Sequence, residues 1–338
     1  MLDRADYWDR RKFLGGAALA GTAALAGLGP KYALAEPPPE TARIRLASIP
    51  SICRAPQFMT EELLHAEGFT EVQYVPWKRT SEASKAVGMG ALDITMQYIG
   101  PSIMQVDSGE AIVILAGIQP GCFELFGTAR VRSVRDLKGK TISVLEVGGS
   151  EYAFMASMMT YVGVNPRKDV KWSANPPEEG KRLLAEGKVD AFGLPPDPQE
   201  LRARQIGHVV VNSIVDRPWS QYFCCMVVGH RDFVRKNPVA TKRALRAVLK
   251  AADVCAAEPE KAARFLVDKG YTQHYDYALQ ALKDIPYNKW REYDHEDTVR
   301  FYSLRLHEAG MIKSSPQKIL AQGTDWRFLN ELKKELKG

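Results

Sequence analysis

Side chains suited to binding chemistry fall in four short stretches: Ser51-Ile52-Cys53-Arg54, Gln97-Tyr98-Ile99-Gly100, Gly148-Gly149-Ser150-Glu151 and Pro195-Pro196-Asp197. Arg54 is a countercharge for an anion, or else a solvated surface residue. Gly148 and Gly149 let backbone approach a ligand closely, and the Ser150 hydroxyl either donates to a ligand oxygen or caps its own helix. Tyr98 and Tyr222, with Phe123, Tyr152 and Trp219, can sandwich a planar ring or pack in the core. Glu146, Glu151 and Asp197 would repel a simple anion unless Arg54 or Lys78 offsets them, so a heterocycle or zwitterion with donor and acceptor edges suits the mixture better. The expected ligand-binding set is Ser51, Cys53, Arg54, Gln97, Tyr98, Gly149, Ser150, Glu151, Pro196, Asp197 and Tyr222. No catalytic residue, metal ligand or cofactor site is expected: Gly-x-Ser-x-Gly is absent, and the six histidines lie in separate predicted elements.

What must position these residues is an internal repeat. Arg43 to Gly100 and Lys140 to Asp197 carry the same order of signals at a displacement of about 97 positions. Each copy reads strand, loop, helix, strand, helix, then a glycine-led segment, Gly90-Ala91-Leu92-Asp93-Ile94 or Gly187-Lys188-Val189-Asp190-Ala191. In the first copy the strands are Ile44–Ile49 and Glu71–Pro76, with a helix from Pro56. In the second they are Thr141–Val147 and Asp169–Ser173, with a helix running to Val162. Such βαβαβ units place ligands at the carboxyl ends of their strands, where the four stretches lie. The unpaired N–H groups of a helix starting after each first loop favour an anionic or carbonyl group.

The expected fold is α/β and two-lobed, each lobe a mixed, mostly parallel sheet flanked by helices. Residues 36–130 with 228–338 form the first lobe and residues 131–227 the second, joined by two hinge crossings near Phe126–Arg132 and Tyr222–Gly229. After the second repeat Val209–Ile214 and Tyr222–Gly229 are extended, and the remainder is helical, folding back on the first lobe. Asn237 reads as an N-cap with Pro238 in the first turn, and helices continue through Lys261–Lys269, Tyr275–Asp284, Asp297–Ala309 and Asp325–Leu336.

Composition narrows the classes. At 338 residues and 45% apolar content the chain can bury a full core. The formal charge is +6, and +4 without residues 1–35, with Lys and Arg interleaved with acids, which argues against a nucleic-acid partner. The cysteines are Cys53, Cys122, Cys224, Cys225 and Cys255, an odd number with neither CxxC nor zinc spacing. Structural disulfides are not expected, and Cys224-Cys225, inside an apparent strand, reads as small apolar packing. Asp9-Arg10-Arg11-Lys12-Phe13-Leu14, an Ala/Gly/Leu stretch to Gly29 and Ala33-Leu34-Ala35 resemble a cleaved twin-arginine export signal over residues 1–35. The expected location is periplasmic, and the expected state a monomer.

Leu137-Lys138-Gly139-Lys140-Thr141-Ile142-Ser143-Val144, Gly148-Gly149-Ser150, Leu183-Leu184-Ala185-Glu186-Gly187-Lys188-Val189-Asp190-Ala191 and Phe233-Val234-Arg235-Lys236-Asn237-Pro238 carry a resemblance. In their order and spacing the chain resembles type II periplasmic solute-binding proteins of the nitrate/sulfonate/taurine class, a group that includes binders of thiamine-precursor pyrimidines. The resemblance implies capture of a small organic solute or oxyanion and delivery to an ABC permease in the inner membrane, without catalysis. Two alternatives remain open. A pyrimidine-forming enzyme branch shares this fold, with an iron-associated cysteine-rich loop and a pyridoxal-phosphate lysine, of which only Cys224-Cys225 has an echo here. The other is a metal- or cofactor-loaded carrier, which would account for export after folding.

Overall fold

Among the described residues ten short strands, with helices between them, form three sheets. In this computed structural model residues 36–193 and 198–337 are described. Strands β1 (Arg43–Ser48) and β2 (Glu71–Pro76) pair in parallel. Strand β3 (Ile94–Tyr98) pairs antiparallel with β10 (Phe223–His230), which pairs antiparallel with β4 (Ile112–Pro120). A five-stranded sheet has the order β7 (Lys171–Ala174), β6 (Thr141–Val144), β8 (Ala191–Gly193), β5 (Glu124–Gly127), β9 (His208–Asn212). Within it β6 is parallel to β7 and β8, and β5 is antiparallel to β8 and β9.

The repeat has a physical cause in its glycine-led segment. Helix α3 (Thr80–Gly88) and helix α6 (Pro177–Ala185) are each followed by a glycine in the left-handed region, Gly90 at φ 73° and Gly187 at φ 65°. Each turn delivers an aspartate to the first strand of its unit. Asp93 accepts the backbone N–H of Arg45 at 2.8 Å and its guanidinium at 2.6 Å. Asp190 accepts the backbone N–H of Thr141 at 2.9 Å and the guanidinium of Arg130 at 2.7 Å. The Gly-x-x-Asp spacing thus ties the end of one helix to the edge of a neighbouring strand in both halves.

Between β1 and β3 a side chain replaces part of the ladder. Gln57, fully buried on helix α1 (Ala55–Phe58), donates its amide N–H to the carbonyl of Ala47 at 2.6 Å. Its amide oxygen accepts the Met96 N–H at 2.5 Å and the Thr95 hydroxyl at 2.9 Å. Backbone polar groups that would lie orphaned in the interior are satisfied by this one amide.

Helix α2 (Glu61–Ala66) leads into β2, α4 (Ile99–Ser108) follows β3, α5 (Ser150–Tyr161) follows β6, and α7 (Pro198–Ala203) precedes β9. The tail comprises α8 (Arg231–Lys236), α9 (Pro238–Ala257), α10 (Pro259–Asp268), α11 (Tyr275–Asp284), α12 (His295–Glu308), α13 (Pro316–Gly323) and α14 (Arg327–Glu335). Helix α9 buries Ala244, Leu245, Val248, Leu249, Ala252 and Cys255 and packs on α1, α2 and β4. Helix α12 packs on α4 and also on α5, which carries the tail across to the second unit. His295 fixes that junction: its Nδ1 accepts the Gly117 N–H at 2.7 Å, its Nε2 donates to the Trp290 carbonyl at 2.9 Å, and its ring stacks on Phe223. Burial holds this imidazole down at about 3, so it stays neutral.

Several expectations change. Asn237 holds the N-cap position of α9 with Pro238 after it, but its side chain makes no capping bond and donates back to the Phe233 carbonyl. The free N–H groups of Val239 and Ala240 donate instead to the Glu40 carboxylate, at 2.9 and 2.8 Å. Helix α13 occupies a segment left without an element, and β6 ends at Val144, three residues short of the predicted strand. Glu124–Gly127 pairs in the five-stranded sheet, and Phe223–His230 pairs between β3 and β4. An extended apolar run beside a crossing carries no sequence mark of which sheet it will join. The export segment lies outside the described residues. No helix among the described residues is long and apolar enough to cross a membrane.

Candidate functional site

The carboxyl ends of β1, β3, β6 and β7 open onto a cavity of about 720 Å³, within the range that holds a small organic ligand. One wall comes from Ile49–Arg54, Lys78–Thr80 and Tyr98, the other from Leu145–Val147, Glu151 and Ala174–Pro177. Arg202 of α7 and Asp284 and Ile285 at the end of α11 close the remaining sides.

Among the described residues, four basic ones (Arg54, Lys78, Arg79, Arg202) and four acidic ones (Glu124, Glu146, Glu151, Asp284) line this space. Arg202 and Glu124 form an ion pair within it. Glu146 accepts a hydrogen bond from the Ser81 hydroxyl at 3.0 Å. Arg54 is 3% exposed, has no carboxylate partner among the described residues, and stands 5.8 Å from the centre of the Tyr98 ring. Glu151, 4% exposed, has a carboxylate oxygen with no hydrogen-bond partner. Its burial, together with the nearby Glu146 charge, pushes its carboxyl up to about 7, against a backbone hydrogen bond that lowers it. A carboxyl so placed can donate or accept near neutral pH. Arg54 and Glu151 occupy equivalent positions of the repeat, one in each half.

Of the residues that the sequence singles out, Ser51, Cys53, Arg54, Tyr98 and Glu151 meet at the cavity. Gln97, Gly149, Ser150 and Tyr222 do not line it. Gln97, within β3, is buried and its amide oxygen accepts the Ser102 hydroxyl at 3.4 Å. Gly149 is needed because a Cβ there would lie 2.5 Å from Cγ of Glu146, after the left-handed turn at Gly148. Its close approach is therefore to the wall of the site. Ser150 neither caps α5 nor faces the cavity, and its hydroxyl donates to Thr80 at 3.3 Å, linking the two halves. Tyr222 stacks on Phe301 of α12 at 4.0 Å. Pro196 and Asp197 lie outside the described residues.

Sequence reasoning missed Asn175, Pro176 and Pro177 on one wall and Arg202 and Asp284 on another. The first group was findable, because Lys78, Arg79 and Thr80 have these three as their counterparts in the second half. The other two come from helices outside the repeat and carry no such mark. The structure also brings Cys53, Cys122 and Cys225 together, their sulfurs all within 4.8 Å of one another.

Helix-flanked sheets with a ligand-sized cleft at the carboxyl ends of their parallel strands make up the periplasmic binding protein fold. The nitrate-binding protein NrtA of Synechocystis PCC 6803 superposes with a TM-score of 0.71 at 15% identity, over 89% of this chain and 90% of that one. A putative sulfonate-binding SsuA of Methylobacillus flagellatus KT gives 0.68 at 21% identity, over 87% and 94%. The aliphatic sulphonate-binding SsuA of Escherichia coli gives 0.64 at 15% identity, over 81% and 94%. The NMT1/THI5 like family model matches residues 66–262, and the chain belongs to that family. No curated protein matches it by sequence.

Proposed function

We propose that this chain is the solute-binding component of an ABC importer, exported by the twin-arginine route and working in the periplasm with a membrane permease. Its cleft takes a small polar organic solute that carries both a hydrogen-bond-accepting or anionic end and a donating end. The observation that carries this reading is the pairing of Arg54 and Glu151 on opposite walls of one cavity, each buried and each without an opposite charge beside it among the described residues. A buried, unpartnered polar group costs stability, which a ligand that pairs with it recovers.

The fold's relatives include binders of nitrate and sulfonates. The acidic groups among the described lining residues separate this cavity from a trap for a bare oxyanion, because Glu146 and Glu151 would face such an ion directly. The two halves are joined where β4 passes to β5 and where β9 passes to β10, and a solute bridging Arg54 and Glu151 draws these halves together. The closed form is then what a permease recognises.

Mass spectrometry of the small molecule released from the purified protein, followed by calorimetric titration with it, tests the proposal. The expected ligand is a zwitterion or an amino-substituted heterocycle whose affinity falls in both Arg54→Met and Glu151→Gln. Tight binding of nitrate or a simple alkanesulfonate, indifferent to Glu151→Gln, would refute the solute class. Absence of stabilisation by any small solute would refute the binding role itself.

A further inference from the structure

Four of the five cysteines gather at the floor of the cleft, delivered by three separate segments. Cys53 follows β1, Cys122 follows β4, and Cys224 and Cys225 lie in β10. Neighbours in a regular strand face opposite sides of a sheet, but β10 is irregular against β4 on either side of Cys225. That bulge brings the Cys224 and Cys225 sulfurs within 3.7 Å of each other. Cys53 and Cys122 also line the cavity, and the Tyr98 hydroxyl stands 3.6 Å from the Cys53 sulfur.

We propose that Cys53, Cys122 and Cys225 form a three-thiolate site for a soft d10 cation of the Zn(II) or Cu(I) class, with its fourth coordination position open to the cleft. Tetrahedral zinc with Zn–S bonds of about 2.3 Å sets its sulfurs roughly 3.8 Å apart. The three sulfurs already lie within 4.8 Å of one another, so closing on an ion needs only small side-chain rotations. Thiolates select soft cations over the hard oxygen-seeking ones, and binding releases the thiol protons to solvent.

Arg54 lines the same cavity as Cys53 and Cys122. Arg54 also offsets the excess charge of three thiolates around one cation. Cys255 provides the contrast: it is buried apart from these three sulfurs, beside the Met59 sulfur at 3.6 Å.

The site borders the cleft assigned above to the solute, but its occupation can be read with metal alone, so either reading can fail without the other. The reduced protein is titrated anaerobically with Cd(II), following thiolate-to-metal charge-transfer absorption, and with Zn(II) against a chromophoric chelator. One tightly bound equivalent is expected. Cys53→Ser, Cys122→Ser and Cys225→Ser should each weaken binding by at least the roughly 100-fold that loss of an outer-shell partner can cost, while Cys255→Ser leaves it unchanged. Cys122 is only half-buried, so Cys122→Ser keeps the test sound if the deeper variants misfold. A wild-type protein that gives no stoichiometric band, or a folded Cys122→Ser that binds as tightly as wild type, overturns the proposal.

Discussion

Glu151 makes the stability of this protein depend on pH in an uncommon direction. Its carboxyl is raised from the ordinary 4.5 to about 7, chiefly by desolvation. Between those values the unfolded chain has released the proton that the folded chain retains. Folding is then favoured at the acid end of the window and loses that advantage as pH rises through 7. A displacement of this size amounts to about 3 kcal/mol. For a unit of about 300 residues, with an unfolding entropy of roughly 2 cal/mol/K per residue, this is a change in Tm of about 5 °C. Glu151→Gln keeps the shape and removes the titration. Thermal denaturation of both proteins at steps between pH 4 and pH 8, without solute, should therefore show Glu151→Gln gaining on the wild type by about 5 °C across the window. Other groups that titrate in this range, among them His295, are common to both proteins and cancel in the difference. A difference in Tm that stays constant over the whole range would refute the reasoning, since Glu151 would then ionise as an exposed carboxyl does.

Gln57→Leu should cost about 3 kcal/mol in chemical denaturation, because the Met96 N–H and the Ala47 carbonyl lose their partner in a dry interior; a loss under about 1 kcal/mol would mean that β1 and β3 can pair directly. Glu40→Ala removes the carboxylate that caps α9 and should lower stability by about 1 kcal/mol, whereas Asn237→Ala should leave that cap intact. His295, held at about 3, should show no ring titration by NMR between pH 5 and 8, and its contribution to stability is kept near neutrality and lost as pH falls from about 6.5 toward 3. Replacing Gly149 with Ala should shift the Glu146 side chain away from the cavity wall and change solute affinity more than stability, read by calorimetry beside a melting curve.

The periodic parts of the fold were legible because they rest on local chemistry. Gly90 and Asp93, and again Gly187 and Asp190, announce the repeat, and the structure shows that spacing fastening a helix end to a strand edge. Arg54 and Glu151 could be placed at the cleft because they follow the first strand of each unit, where a βαβ fold presents its loops. What the sequence hid depends on partners far along the chain. Ser150 has the type and position of a ligand donor or a helix cap, and only the approach of Thr80 turns it to another use. Asn237 reads as a cap until Glu40, nearly two hundred positions earlier, reaches the same N–H groups. Cys225 reads as strand packing because the bulge that redirects it has no signature in Tyr222-Phe223-Cys224-Cys225-Met226.

The Gln57 amide has a mechanical consequence. The segment Ile49–Arg54, which carries Arg54 into the cleft, leaves the molecule at a seam where one carboxamide stands in for a continuous run of main-chain bonds. That joint hangs on one side chain, while the neighbouring β1–β2 pairing is a continuous ladder. The loop therefore has a compliance of its own, separate from the stiffness of the strands behind it. Divergence in solute choice can act through that seam, since a substitution at one buried position repositions the guanidinium without remaking the lobe that supports it.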